Sequence, residues 1–270
     1  MALVPPCAFS TEIYSNSFTS GTSFPEWSDN VFSVTPVGSR RFLGEFDDRT
    51  VTLTLTGLPA HARIRLSFDF LALKTWGGIA PSASNNTGPD RFVLSVANGP
   101  TLLDTTFSNH DSDARFRQNY PAASDSGIDY PAFTGASEHG LLGYSAYGMP
   151  HLDSVYSLSF TLPHTNPTVT FQFRTFNIDQ GIQADESWGL DNVVVSVLPE
   201  PAKITATVTA ASAHLSFSNL VTGREYRIMK SPALASWLEA HRFTAAAPMS
   251  SWSEALSPEG RQFYRLEWNE

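Results

Sequence analysis

Along most of this chain apolar and polar positions alternate with a period of two, and no segment keeps a helical apolar period for long. Residues 50–56 alternate strictly, with Val51, Leu53 and Leu55 on one side and threonines on the other. That pattern predicts a strand with one buried face and one face toward water. Residues 62–73 repeat it, with Ile64, Leu66, Phe68 and Phe70 opposite Arg63, Arg65, Ser67 and Asp69. Further strands are predicted at 10–18, 41–46, 91–96, 101–107, 154–162 and 168–176, and Asn98-Gly99 is a hairpin signal between two of them. Val193, Val194, Val195 and Val197 form a β-branched run that predicts a strand buried on both faces or nearly so. The polar stretch 184–192 before it reads as a turn that launches this closing strand.

Two segments break the alternation. Residues 74–90 form a Gly-, Pro- and Asn-rich loop, which includes the glycosylation-type triplet at 85–87. Residues 108–152 are rich in Ser, Asp, Gly, Tyr and Pro and exceed the roughly 15 residues beyond which structureless loops are uncommon. Such a loop is expected to be functional or mobile, with short strands such as 141–144. Pro199 and Pro201 remove backbone donors and end the sheet. Beyond them short strands recur at 204–208, 214–217, 225–229, 237–243, 251–255 and 262–268, the spacing of a small β-sandwich. The expected division is a loose terminus at 1–9, a β domain at 10–198, a Pro-rich linker at 199–202 and a smaller β domain at 203–270.

Composition narrows the functional classes. Hydrophobic residues make up 41% and aromatics 12%, enough for packed cores, while charged residues are only 16%. Ser, Thr and Asn carry much of the surface, as in many secreted β proteins. A net charge of −9 argues against a nucleic-acid partner, because phosphate binding needs a basic face. It is compatible with glycans, cations or cationic surfaces. The single cysteine, Cys7, excludes an internal disulfide framework and reads as a spare terminal thiol. No run approaches the 18 apolar residues of a membrane helix, and the first residues lack the basic start of a signal peptide.

The segments 41–46, 50–55, 88–92, 102–107, 118–121 and above all 185–193 together resemble secreted bacterial jelly-roll domains of the concanavalin-like or carbohydrate-binding-module type. The resemblance implies an all-β chain: an antiparallel jelly-roll β-sandwich, with a structural calcium near the closing strand and a carbohydrate or surface role. The tail, through 223–227, Trp237 and 261–265, is similar to small fibronectin-type-III-like sandwiches. The chain departs from the resembled pattern around Trp76, where Lys74, Thr75, Gly77 and Gly78 stand in place of acids, and at Asn16-Ser17.

Four candidate chemistries follow. Calcium takes about six to eight oxygens, and Glu45, Asp90, Glu186 and Asp191, with Asp185 nearby, sit at expected strand ends or turns; the alternative is that Asp191 merely caps its turn. Glycan binding would stack sugars on aromatic faces, here Trp76, Tyr120, Tyr130, Tyr144, Tyr147 and Trp188; the alternative is that each packs into the sandwich rim. Two-carboxylate hydrolysis needs an acid and a base facing across a cleft. Adjacent Asp185 and Glu186 point opposite ways on an extended segment, so Glu138, Asp129 or Asp153 of the long loop would have to join. The Gly-x-Ser-x-Gly elbow fails at Tyr147, and His110, His139 and His151 are too widely spaced for a local zinc motif. No catalytic residue is assigned. The expectation is a secreted or cell-surface carbohydrate-binding protein whose partners are polysaccharides, glycans or other surface components. A polysaccharide-degrading enzyme and an adhesive structural protein are the alternatives.

Overall fold

In a computed structural model every regular element is a β-strand, as the period-two pattern predicts. The structure describes residues 10–21, 23–80, 89–111, 115–178, 185–209, 211–256 and 262–268. Cys7 and the triplet at 85–87 lie outside them. The chain forms two compact units, one of Glu12–Ala60 with Ile64–Val197 and one of Leu198–Glu270 with His61–Arg63 and the initial residues.

The larger unit holds β1 (Thr11–Asn16), β2 (Phe32–Val34), β3 (Arg41–Phe46), β4 (Thr50–Thr56), β5 (Arg63–Lys74), β6 (Arg91–Val96), β7 (Thr101–Thr106), β8 (Glu138–His139), β9 (Asp153–Pro163), β10 (Thr168–Phe176) and β11 (Glu186–Leu198). Seven of these form one sheet in the order β2-β3-β11-β5-β9-β8, with β1 also on β11, and β4-β10-β6-β7 form the other. The inward residues of both sheets share one core: Phe68 and Phe70 of β5, Trp188 and Val193 of β11, Leu53 of β4, Phe92 of β6 and Phe171 and Phe173 of β10 are all essentially inaccessible. This is a two-sheet antiparallel sandwich. The hairpin at Asn98-Gly99 forms, with Asn98 at φ 58° and a register shift between Leu94 and Ser95.

The closing strand differs from its expected form. It begins at Glu186 rather than at Val193, so the acidic stretch lies within the strand. Only Val193, Val195 and Val197 point inward, while Val194 is partly exposed, so one face of the run is buried. Leu190 and Val193 are both core residues although three positions apart. A strictly alternating strand would send one of them outward; Asp191 and Asn192 absorb the extra residue, with Asn192 at φ 48°. The turn chemistry of Asp-Asn therefore makes a bulge. A register shift between Trp188 and Gly189 faces β3, where a side chain at Gly189 would lie 2.3 Å from the Phe42 ring.

In the smaller unit β12 (Lys203–Val208), β13 (Ser212–Ser218) and β16 (Ser250–Ala255) form one three-stranded sheet. A second contains β15 (Leu238–Thr244), β14 (Glu225–Ser231) and β17 (Phe263–Glu267). Leu215, Phe217, Tyr226, Ile228 and Tyr264 form its own core.

Candidate functional site

The long segment 108–152 is tied down by buried polar side chains instead of its own strands. Its described residues include a two-residue strand, β8, which pairs with β9; 141–144, expected as a strand, is not one. Gln118 is fully buried and accepts from Ser108 N at 3.2 Å and the Tyr156 hydroxyl at 3.0 Å. Its amide donates to the carbonyls of Tyr120 and Thr134. Asn109 donates to the carbonyls of Ala72 and Lys74 and accepts from Ser154 at 2.6 Å. The Asp153 carboxylate accepts the amides of Leu142 and Tyr144 at 3.0 and 3.1 Å. Those amides place Leu142 and Tyr144 over Phe42, Leu71, Leu73 and Val155, a small second core on the outer face of the seven-stranded sheet. Breaking any of these bonds strands a buried polar group, so the loop is held in one arrangement.

That arrangement encloses a pocket of about 560 Å³ whose wall includes His110, Asp111, Phe133, His139, Leu141 and His151. His110 stacks on Phe116, ring centroids 4.5 Å apart, and His139 stacks on Phe133 at 4.7 Å. Phe133 sits at φ 62°, a conformation that costs a side-chain-bearing residue about 1–2 kcal/mol. His151 is 2.9 Å from the Gly140 carbonyl through Nδ1, which must carry the proton, since a carbonyl only accepts; Nε2 is then the acceptor of the neutral ring. A side chain at Gly140, itself at φ 66°, would press on His151 at 3.0 Å. The histidines come from three loop positions that sequence spacing makes look unrelated. They line one pocket, yet among the described residues no group of three His, Cys, Asp or Glu side chains closes to hold a metal ion.

None of the six aromatics expected to stack on sugars lines this pocket. Trp76 and Trp188 are 0% exposed and have no face to offer, which corrects the expectation for both. Their indoles donate inside the core, Trp76 Nε1 to the Ser187 carbonyl at 2.8 Å and Trp188 Nε1 to the Asp47 carbonyl at 2.9 Å. Tyr144 is buried in the second core, where burial, and then the nearby Glu45 carboxylate, push its phenol well above the usual range. Tyr120 is half-buried, packing on Phe107 at 5.1 Å and edge-on to Tyr156. Tyr130 is half-buried and its backbone pairs with Gln118. The aromatic the pocket does carry is Phe133.

The acids expected to hold calcium have other work. Glu45 accepts Lys74 Nζ at 2.8 Å and Ser187 Oγ at 2.7 Å. Asp90 is buried and accepts the Gly77 amide at 2.6 Å. Asp191 pairs with Arg40 at 2.6 Å, and burial holds its carboxyl above the usual range despite that cation. Glu186 is buried at the start of β11. Two of the four carboxylates are thus matched to the chain's own cations, a donor set that does not fit a resident calcium. Arg40 also reaches Asp69 at 2.6 Å and Glu138 at 3.4 Å, joining β5, β8 and β11 on the outer sheet face. Of the acids considered for hydrolysis, Glu138 serves this cluster, Asp153 the loop amides and Asp129 the Arg117 guanidinium at 2.7 Å.

No protein-family model matches the chain, and no curated protein does. Among solved structures it is similar to a beta-1,2-glucanase from Parabacteroides distasonis at 8% identity and a TM-score of 0.23. That match covers 97% of this chain and 39% of the glucanase, and a likeness at that score describes neither a shared fold nor a shared activity.

Proposed function

We propose that the chain is a non-catalytic carbohydrate-binding protein of the secreted or cell-surface class, its larger unit a jelly-roll-type sandwich and its site the pocket of the 108–152 segment. The observation that supports this most is the wall itself. A fixed aromatic ring at Phe133 and the apolar Leu141 and Met149 stand beside the hydrogen-bonding groups of His110, Asp111, His139 and His151. Sugar recognition combines an apolar ring face with several directed polar contacts in this way. Among the described residues Asp111 is the one carboxylate in the wall, whereas hydrolysis by inversion or retention takes two. The low charged fraction and the Ser-, Thr- and Asn-rich surface support a role outside the cell.

Glycan-array screening of the whole chain, followed by titration of the hits, tests the reading. Phe133→Ala is expected to weaken binding about tenfold by removing the stacking face. Absence of any bound glycan, or full affinity in that variant, would sink it. Release of reducing sugar from a bound polysaccharide would replace binding with catalysis.

A further inference from the structure

We infer that the sugar this pocket takes is anionic, a uronate or a sulfate ester, and that it is held by the three histidines in their protonated form. The inference rests on the carbohydrate reading above and adds the ligand's charge. Among the described residues of the wall, His110, His139 and His151 are the basic groups and Asp111 the acidic one. Protonating the three rings adds three positive charges beside that carboxylate.

Several of the described charges nearby are already engaged. Glu138, next to His139 on β8, reaches Arg40 at 3.4 Å, and the Asp153 carboxylate accepts two loop amides. Lys74, whose amide bonds the Leu152 carbonyl, pairs through Nζ with Glu45. Arg115 lies 5.9 Å over the Phe116 ring on which His110 stacks. Among the described residues of the wall, the histidines therefore supply the positive charge an anion would meet.

The rings are also placed to donate rather than drift. Two are stacked on aromatic faces and the third is fixed through Nδ1 on Gly140. Protonation adds a second N–H donor to each ring without moving it, and charge-assisted donors of this kind are the strong ones toward carboxylate or sulfate oxygens. At neutral and alkaline pH the net charge of −9 and Asp111 both repel an anion. Binding should then be coupled to proton uptake.

Calorimetric titration of the whole chain with a galacturonate trimer, a sulfated galactose trimer and the neutral galactose trimer, at pH 5.5 and 8.0, tests this. At least one acidic trimer should bind about tenfold or more tightly at pH 5.5, with proton uptake seen in buffers of different ionisation enthalpy, while the neutral sugar changes about twofold or less. Whichever acidic trimer gains more identifies the anion. Changing the three histidines together to Gln should flatten the profile. If that protein does not fold, His139→Gln and His151→Gln singly should each reduce the gain, and Asp111→Asn should raise affinity for the acidic trimer at pH 8.0. A neutral trimer bound as well as both acidic ones at each pH would overturn the inference and leave the carbohydrate reading standing. No binding of any trimer at either pH would defeat both.

Discussion

Arg40 Nε and Asp191 Oδ2 meet at 2.6 Å across 151 residues of sequence, joining the approach to β3 to the bulge of β11. Their side chains are 21% and 5% exposed, so this pair is not a surface ornament. Arg40→Met leaves the buried Asp191 and the partly buried Asp69 without their shared cation, and is expected to cost about 3 kcal/mol in urea unfolding at pH 7. Arg40→Met with Asp191→Leu should regain most of that loss. The sign with pH follows from Asp191, whose carboxyl burial already holds above the usual range. Losing the cation raises it further. A raised carboxyl contributes stability below its unfolded value near 3.9 and loses it as pH climbs through the folded value. The penalty in Arg40→Met should therefore be largest at neutral pH and shrink toward pH 4. A penalty below about 0.5 kcal/mol at pH 7 would place the pair among ordinary exposed ones.

Gly78, just beyond the end of β5, packs directly against the long segment. At φ 68° it lets Arg117 approach so tightly that a side chain there would lie 2.0 Å from the Arg117 carbonyl, which accepts the Ile79 amide at 2.7 Å. Gly78→Ala has both a backbone and a steric cost and should lower stability by about 3 kcal/mol. Hydrogen exchange should show faster opening at Ile79 and Asn109, whose amides bond across this contact. Unchanged exchange at those amides would show that the segment is held without it.

The strands were legible because one buried face per strand forces a period of two, and the bounds of β3, β4, β6 and β10 match the predicted runs. The short β2 and β8 carry too few residues to show a period. Asp191-Asn192 shows the limit of local reading: turn-forming residues announce a left-handed position, and only the sheet decides whether it closes a turn or makes a bulge. Burial of Trp76 and Trp188 was hidden because an indole looks the same in sequence whether it meets a ligand or a backbone carbonyl. His110, His139 and His151 share a pocket through Gln118, Asn109 and Asp153, whose long-range bonds leave no spacing pattern. The only signal of a site was the loop's length.

Asp104 gives a pH dependence of the opposite sign to Asp191. The Arg91 guanidinium grips it at 2.7 and 2.5 Å, Ser124 adds a hydroxyl at 2.8 Å, and together they hold its carboxyl below the usual range. A depressed carboxyl contributes stability above its unfolded value near 3.9 and loses it as pH falls through the folded value. Asp104→Asn should be less stable than the parent at pH 6, by about 0.5–1 kcal/mol given the pair's partial exposure. The two proteins should converge below about pH 3. A constant difference down to that pH would assign the loss to packing.

Calcium supplies the last test, because several of the oxygens expected to hold it are engaged by other groups. A calcium ion takes about six to eight oxygens. Glu45 and Asp191 would have to release Lys74 and Arg40 to serve it, and Asp90 would have to give up the Gly77 amide. Each released group would be left partly buried without its partner, a loss the ion would first have to offset. The melting temperature is therefore expected to agree within about 1 °C between millimolar calcium and excess chelator. An ion bound at a hundred times its dissociation constant would add about 2.7 kcal/mol, a rise of several degrees for either unit. Such a rise would show that calcium is held by oxygens other than this set, and Glu45→Gln with Asp191→Asn would then leave it intact.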